Sequence, residues 1–364
     1  MADKKKVAVA MSGGVDSSVA ALLLKEQGYD VTGVTMQIWL DEGLYELSRL
    51  DGCCSLSAVD DAKKVCDIIG VPHYVVNFKD IFREKVISNF IDEYVHGRTP
   101  NPCIICNRYV KWEALLKWAV DNGADYIATG HYARIKHLEN GRYAIARSAT
   151  DAKDQTYALY SLTQHQLART LMPVGEYQKP EVRRIASQAD LPVGNKPDSE
   201  EICFIPDNDY AGFIDREPGV KVPPPGNFVN KEGSIIGPHK GITQYTIGQR
   251  RGLGLAMGHY VYVTGIRPDT NEVVIGEDED VYSTHLSCKD VNYMALDGDR
   301  LADGGEKRLF GKIRYRHPGE WCTIKKTGED TLDVSFEKPV RAVTPGQAVV
   351  LYDGDLVACG GTID

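Results

Sequence analysis

Six residues, Ser12-Gly13-Gly14-Val15-Asp16-Ser17, stand between an apolar run, Val7–Met11, and a helical run from Ser18 to Gln27 that stops at Gly28. Strand, glycine turn and helix in that order gather backbone N–H groups and hydroxyls at a helix N-terminus, and such a nest binds phosphate. Gly13 and Gly14 allow close approach of the backbone to an anion. Ser12 and Ser17 can donate to phosphate oxygens, and Asp16 can orient a Mg²⁺ ion. The Gly-Lys-Ser/Thr ending of a Walker A loop is missing, so no lysine of this loop waits for the β and γ phosphates of a nucleoside triphosphate. A plain turn that happens to hold two glycines is the competing reading, and the strand and helix on either side argue against it.

Two cysteines lie in unusual surroundings. Gly97-Arg98-Thr99-Pro100-Asn101-Pro102-Cys103-Ile104-Ile105-Cys106-Asn107-Arg108 is a proline-rich loop that delivers Cys106 to the start of a helix predicted over Tyr109–Asn122. There the helix dipole, Arg108 and Lys111 favour a thiolate. Cys203 lies in Pro197-Asp198-Ser199-Glu200-Glu201-Ile202-Cys203-Phe204-Ile205-Pro206. Its acidic neighbours resist a thiolate, and a persulfide, being more acidic than a thiol, suffers less there. Cys103-x-x-Cys106 is half a zinc site, but no second pair with metal spacing follows. Cys66, Cys288, Cys322 and Cys359 read as small buried apolar groups. Cys53-Cys54, in a Gly-flanked loop, reads more readily as structural than as catalytic.

The glycine loop resembles the SGGxDS loop of the ATP pyrophosphatase (PP-loop) superfamily. That resemblance implies cleavage of ATP between its α and β phosphates and activation of a substrate oxygen by AMP. AMSGGVDSS, GRTPNPCIICN, ADYIATGHYAR, KDQTYALY, PDSEEICFI, TIGQRRGLG, IRYRHPG and TPGQAVVLYDGD run in order from Ala10 to Asp355. As a set they resemble the tRNA-specific 2-thiouridylase family along nearly the whole chain. The resemblance implies replacement of the 2-oxygen of the wobble uridine by sulfur in tRNAs for Lys, Glu and Gln. It also implies ATP, and sulfur received as a persulfide from a carrier protein. By position, Ala10, Met11, Ser12, Gly13, Gly14, Val15, Asp16, Ser17, Met36 and Gly130 match the ATP site. Cys106 matches the nucleophile and Cys203 the persulfide carrier. Asn101, Pro102 and Cys103 match the segment at the target base. His131, Lys153, Asp154, Gln155, Arg314, Tyr315, Arg316 and Gln347 match tRNA contacts.

The chemistry agrees with this assignment. A uracil carbonyl oxygen is a poor leaving group, and adenylation converts it into part of AMP. Sulfur from Cys203 can then reach the activated carbon, while Cys106 either reduces the persulfide or resolves the product as a Cys106–Cys203 disulfide. The base must leave its stack to be reached. Arg314 and Arg316 suit phosphates and Tyr315 a base, although a solvated strand face is the plainer reading of those three. Some relatives carry aspartate where this chain has Cys103. Three thiols, Cys103, Cys106 and Cys203, could therefore hold a [4Fe-4S] cluster with one open iron position for sulfide. A different PP-loop ligase is the alternative enzyme, and a non-catalytic tRNA-binding or sulfur-relay module is the alternative outside enzymes.

The elements that must position these groups are legible as a pattern. Strands predicted at Val7–Met11, Tyr29–Trp39, His73–Phe78 and Asp125–Thr129 alternate with helices at Ser18–Gln27, Ser57–Ile69, Asp80–Val95 and Tyr109–Asn122. That alternation implies an α/β fold, a doubly wound parallel sheet with its ligand at the carboxyl ends of the strands. By resemblance this is the adenine nucleotide alpha hydrolase-like fold. After Pro206 the segments become short and alternating: Ile235-Ile236, Tyr260–Val263, Glu272–Ile275, Lys312–Arg316, Cys322–Lys325, Leu332–Phe336 and Ala348–Tyr352. Turn signals separate many of them. The expected division is a catalytic domain over 1–205, a small central domain over 206–280 and an antiparallel β-barrel over 281–364. The 364 residues hold nine cysteines, an odd number that argues against a disulfide scaffold. Val7–Met11 is too short for a signal peptide, and no apolar run approaches membrane-spanning length. A cytoplasmic monomer is the expectation. The net charge of −9 neither supports nor excludes a nucleic-acid partner, because a local basic patch suffices.

Overall fold

The computed structural model describes residues 4–38, 56–150, 153–198, 202–298, 301 and 305–364. Cys53 and Cys54 lie outside them. The chain forms two units, Met1–Val86 with Cys103–Asn208 and Asp355–Val357, and Ile87–Pro102 with Asp209–Gly354 and Ala358–Asp364.

The first unit is built on a parallel sheet. Its strands are β1 (Lys6–Ala10), β2 (Asp30–Gln37), β3 (His73–Asn77) and β4 (Tyr126–Ala128). A hairpin of β5 (Ala133–His137) and β6 (Tyr143–Arg147) follows, and β7 (Thr170–Leu171) returns to the sheet, whose order is β3-β2-β1-β4-β7. β1 is central and apolar on both faces, as a strand covered on both sides must be. Helices α1 (Val15–Glu26) and α2 (Leu56–Ile69) follow the first two strands. Val7, Val9, Val19, Ala62 and Val65 are buried in one cluster. Each larger side chain there contributes about 1.5–3 kcal/mol by leaving water. Gly33 of β2 lets the sheet and α2 close on each other, since a Cβ there would stand 2.5 Å from Cys66 Sγ.

Further along, α3 (Lys79–Phe82) precedes a π-helical segment, Arg83–Ile87, and α4 (Ser88–Val95). A second helical run comprises α5 (Pro102–Ile105), ten residues of π-helix at Cys106–Leu115, and α6 (Leu116–Asp121). That run begins seven residues before the Tyr109 start read from the sequence, so Cys106 is not at the helix start. Pro102 explains the early start, because proline suits the first turn, where its missing N–H leaves nothing unsatisfied. The remaining helices are α7 (Gln164–Ala168), α8 (Lys179–Gln188) and α9 (Tyr210–Arg216).

The second unit is mostly sheet. A four-stranded sheet has the order β10-β11-β8-β9, from β8 (Gly226–Val229), β9 (Ile235–His239), β10 (Tyr262–Arg267) and β11 (Glu272–Gly276). A barrel follows, of β12 (Tyr282–Tyr293), β13 (Glu306–Lys312), β14 (Glu320–Lys326), β15 (Leu332–Arg341), β16 (Ala348–Asp353) and β17 (Leu356–Ile363). Its order is β12-β15-β14-β13-β16-β17, and β17 pairs back to β12 with Cys288 opposite Ile363. Closure removes the exposed edges of an open sheet. Alternation on β14 and β15 sends Cys322, Ile324, Leu332, Val334 and Phe336 inward. Cys288, Cys322 and Cys359 are buried in the barrel and their thiols are pushed up by burial, Cys288 and Cys322 to about 12. These are inert packing thiols. α4 belongs to this unit, where Phe90 meets Tyr210 and Phe213 edge to face.

β13 ends at Lys312, so Arg314-Tyr315-Arg316 is a turn and not the strand expected over Lys312–Arg316. His317 fixes that turn. Its N–H donates to Arg314 O (3.0 Å), and its ring Nδ1 accepts from Gly319 N (3.1 Å). Burial, then Arg314 and Lys312, push the His317 ring down to about 4, so it is neutral at physiological pH. No helix among the described residues is long and apolar enough to cross a membrane.

Candidate active site

The carboxyl end of β1 runs directly into the glycine loop. Ala10, Met11 and Val15 are buried, so they can offer a ligand only backbone. Thr35, beside the half-buried Met36 on β2, donates to Met11 O (3.0 Å) and holds the loop to the sheet. Ser17 Oγ accepts from Ser12 N (3.2 Å) and lies 3.2 Å from Ser12 Oγ. Two hydroxyls and the α1 N-terminus therefore share one spot.

Two glycines are required by close approach. Gly13 has φ +66°, and a Cβ there would fall 2.3 Å from Ala58 O. Gly130, just past β4, lies so near the loop that a Cβ would stand 2.6 Å from Asp16 C and Ser17 N. Its place in the nucleotide motif thus has a packing cause. Gly130→Ala is expected to force the α1 N-terminus away from β4 and to destabilise the protein by about 2 kcal/mol, as overpacking does. Nucleotide affinity should fall with it. Thermal unfolding and ATP titration of the variant check both, and wild-type values in both would refute the packing argument.

The loop itself carries no lysine, and the fold supplies lysines from elsewhere. Lys179, the first residue of α8, donates to both carboxylate oxygens of Asp16 at 2.8 Å and pairs with Asp198 Oδ1 at 2.6 Å. Lys196 donates to Gly13 O (3.2 Å) and Asp61 Oδ2 (2.9 Å). Lys153 pairs with Asp198 Oδ2 at 2.8 Å, and Arg183 stands 3.6 Å from Asp198. Tyr132 OH donates to Asp16 Oδ1 at 2.7 Å. Burial opposes ionisation of Asp198, but the bonds from Lys153 and Lys179 outweigh it and hold the carboxyl below the usual range. Burial and the adjacent Asp16 charge push the Tyr132 phenol up, so it stays a donor. A signal was available: a lysine at the first position of a helix opposes the dipole, and Lys179 occupies that position in α8.

Other expected residues of the first unit surround this network. Gln155 Oε1 accepts from Tyr132 N (2.9 Å). Asp154 accepts from Ser148 N and Thr156 Oγ1. His131 Nδ1 is 2.8 Å from Thr129 Oγ1, and its ring packs on Trp112. Burial, then Lys111, hold that ring well below its ordinary value, so it is neutral. Trp112 belongs to the π-helical segment that begins at Cys106.

That segment is anchored throughout. Asn107 is buried and donates to Ala158 O (2.8 Å), Lys111 donates to Asn107 Oδ1 (2.9 Å), and Trp112 Nε1 donates to Thr170 Oγ1 (2.8 Å). A ten-residue π-helix is rare, and such windings recur at functional sites. Cys106 is half-buried and a full turn inside the helix, while the exposed Cys103 occupies its first turn. The dipole argument belongs to Cys103, because the effect fades beyond the first turn. Arg108 stacks over Tyr109 at 5.1 Å. Half-buried Cys203 lies in a turn closed by Ile205 N donating to Ile202 O (2.9 Å). Phe204 packs edge to face on Phe82 at 5.7 Å, and α3, which carries Phe82, packs against the Cys106–Leu115 helix. The fold thus brings the Cys203 turn towards the Cys106 helix from nearly a hundred residues away. It does not gather three thiols. Among the described residues no three His, Cys, Asp or Glu side chains stand together as a metal site, and Cys103, Cys106 and Cys203 are all described.

In the second unit, Gln347 Nε2 donates to both Thr99 O and Pro100 O at 3.0 Å. Thr99 N donates to Pro345 O (2.8 Å), and Arg98 binds Glu93 and Ile363 O. Asn101 and the buried Pro102 are therefore held by a loop stitched to the Thr344–Gln347 turn. Arg314 donates to Arg341 O (2.8 Å), and Tyr315 and Arg316 are exposed.

Residues 5–207 match a family model described as the tRNA methyl transferase HUP domain. Residues 212–277 match the tRNA methyl transferase PRC-barrel domain, and 283–363 the aminomethyltransferase beta-barrel domain. The tRNA-specific 2-thiouridylase MnmA of Lachnoclostridium phytofermentans is 59% identical over 359 residues, covering 99% of each chain. The protein of that name from Clostridium perfringens is 55% identical over 361 residues, again 99% of each. A solved 4-thiouridine synthetase–RNA complex with bound ATP is 19% identical with a TM-score of 0.38, over 56% of this chain and 46% of that one.

Proposed function

The chain belongs to the tRNA-specific 2-thiouridylase family, and from that premise we propose how its residues carry out tRNA 2-thiolation. The observation that carries the reading is the contact of the glycine loop with two lysines from distant segments, Lys179 on Asp16 and Lys196 on Gly13 O, with Lys153 and Arg183 gathered beside them on Asp198, in the unit that also holds Cys106 and Cys203. A loop that binds phosphate and a pair of thiols suit sulfur insertion. They offer nothing specific to the methyl transfer that the family-model descriptions name.

The triphosphate lies on the loop N–H groups and the Ser12 and Ser17 hydroxyls. Lys179 and Lys196 now hold carboxylates and a carbonyl, and a triphosphate competes for them with higher charge. Asp16 is the carboxylate placed to hold Mg²⁺, a cation that takes one or two carboxylates with phosphates and water and would neutralise phosphate charge. The wobble uridine of a tRNA for Lys, Glu or Gln presents its 2-oxygen to the α phosphorus. An O–P bond forms and pyrophosphate leaves. The terminal sulfur of a Cys203 persulfide, loaded by a carrier protein, then bonds to C2 and AMP leaves. Cys106 thiolate attacks Cys203 Sγ, so that a Cys106–Cys203 disulfide forms and 2-thiouridine is released. A thiol reductant reopens the disulfide. The iron–sulfur alternative requires three converging thiols, and no observation favours it.

The test is nucleoside mass spectrometry on unmodified tRNA for Glu, incubated with the protein, Mg-ATP and a persulfide donor. A 2-thiouridine signal with stoichiometric AMP is expected. AMP release without thiolated nucleoside would sink the sulfur-transfer reading and leave another PP-loop ligase.

A further inference from the structure

One sequence motif has no part in the reaction above. Thr246-Ile247-Gly248-Gln249-Arg250-Arg251-Gly252 is a braced turn in the second unit. Gln249 Oε1 accepts from Thr246 N (3.0 Å) and its Nε2 donates to Arg251 O (3.0 Å). Gly248 N donates to Val263 O, and Val263 N to Gln249 O, so β10 anchors the middle of the turn. Gly248 has φ +85°, and a Cβ there would fall 2.7 Å from Ala342 Cβ. With the turn seated in this way, Arg250 and Arg251 are left exposed.

Their surroundings fit a nucleic acid. The Arg250 guanidinium lies 4.6 Å from the ring centroid of Tyr260, which is 72% exposed. A planar cation on an exposed aromatic ring is a stacking surface for a base, and a second arginine beside it suits a phosphate. In the acidic run Glu277–Asp280, Glu277 bonds His259, Asp278 pairs with Arg341 and Asp280 with Lys231. Neither Arg250 nor Arg251 is in an ion pair among the described residues.

The turn also joins the proposed tRNA residues of its own unit. Thr246 Oγ1 is 3.4 Å from Thr99 Oγ1, in the loop that precedes Asn101 and is held by Gln347. Gly248 packs on Ala342, beside Arg341, whose carbonyl receives Arg314. Gln347, the Thr99-Pro100 loop that precedes Asn101, the Arg314–Arg316 turn and the Arg250-Arg251 turn are therefore joined by a chain of contacts through Thr246, Gly248 and Arg341. We propose that Arg250, Arg251 and Tyr260 form a further tRNA-binding surface, with the arginines on backbone phosphates and the Arg250–Tyr260 pair against an unpaired base. This rests on the tRNA reading above.

The experiment is fluorescence anisotropy of unmodified tRNA for Glu against the full chain over a KCl series. Arg250→Ala with Arg251→Ala is expected to weaken binding by roughly ten- to a hundredfold and to lower the salt slope by about 1 to 2, one step per lost phosphate contact. Lysine at both positions should keep the slope. Tyr260→Leu should weaken binding roughly fivefold with the slope unchanged, since stacking releases no counterion. ATP titration of each variant reports on folding. Wild-type affinity and slope in the double alanine variant overturn the proposal. So does lost thiolation at unchanged tRNA affinity, which would assign the turn to a protein partner. Absence of tRNA binding by the unaltered chain would instead refute the tRNA reading itself.

Discussion

Serine in place of Cys203 is expected to lower 2-thiouridine formation by at least about a thousandfold, or roughly 4 kcal/mol of barrier. A hydroxyl cannot carry a sulfane sulfur. The Cys203 turn should still form, because Phe204 on Phe82 and the buried Ile205 hold it. Pyrophosphate release with tRNA should persist in the first turnover, since the adenylation step uses the glycine loop. Cys106→Ser separates the two thiols further. Without the resolving thiolate, tRNA is expected to stay joined to Cys203 through a disulfide that a thiol reductant cleaves. A non-reducing gel with labelled tRNA reads this directly. Thiolation at the wild-type rate in Cys203→Ser would refute the persulfide route, and a Cys106→Ser protein with no reducible adduct would refute the resolving role.

The parts of this site written in local sequence were legible, and those made by long-range folding were not. The glycine loop shows itself because its strand and helix are contiguous with it and Gly13 and Gly14 have few other uses. α2 shows itself through helical spacing of Ala58, Ala62, Val65 and Ile69. The helix holding Cys106 starts at Pro102 and not at Tyr109: Pro100 and Pro102 have the look of a loop in sequence, while Pro102 suits a first helical turn. Its π-winding leaves no periodic trace, since it depends on anchors such as Asn107 to Ala158 and Trp112 to Thr170. The sequence pattern of Lys312–Arg316 is that of a strand, and the turn in its place depends on His317, buried by surrounding side chains. Membership of residues 87–102 in the second unit rests on Phe90 meeting Tyr210 and Phe213, over a hundred residues apart. Lys179 and Lys196 likewise reach the glycine loop from more than a hundred residues away, so no pattern near the loop marks them.

Lys179 bears on stability and, in the proposed reaction, on the phosphates. Its side chain is 12% exposed and bridges Asp16 and Asp198. Lys179→Met keeps much of the packing and removes the charge, leaving two carboxylates facing each other without their shared cation. Removing one partner of a buried pair costs about 3–5 kcal/mol, and the partial exposure of both aspartates lowers the expected loss to about 2 kcal/mol. The pH dependence has a definite sign. Asp198 is held below its ordinary value in the folded protein, so its contribution is present above the unfolded carboxylate pKa and is lost as pH falls through the folded one. The stability gap between Lys179→Met and the unaltered protein should therefore be widest near neutral pH and narrow as acid protonates Asp198. Catalysis should fall further than stability. A cation aimed at a leaving pyrophosphate acts most strongly where charge develops, and losing one such group costs about a hundred- to a thousandfold in rate. Lys179→Arg keeps the charge and should recover stability before rate, because a guanidinium can fork onto the Asp16 carboxylate but is too long and planar to put its charge where the compact ammonium meets Asp16 at 2.8 Å and Asp198 at 2.6 Å together. Quenched-flow measurement of AMP release, beside denaturant unfolding at several pH values, tests both halves. A variant with normal AMP release and reduced stability would make Lys179 a structural bridge alone, and the phosphate would then have to be met by Lys196 and the loop.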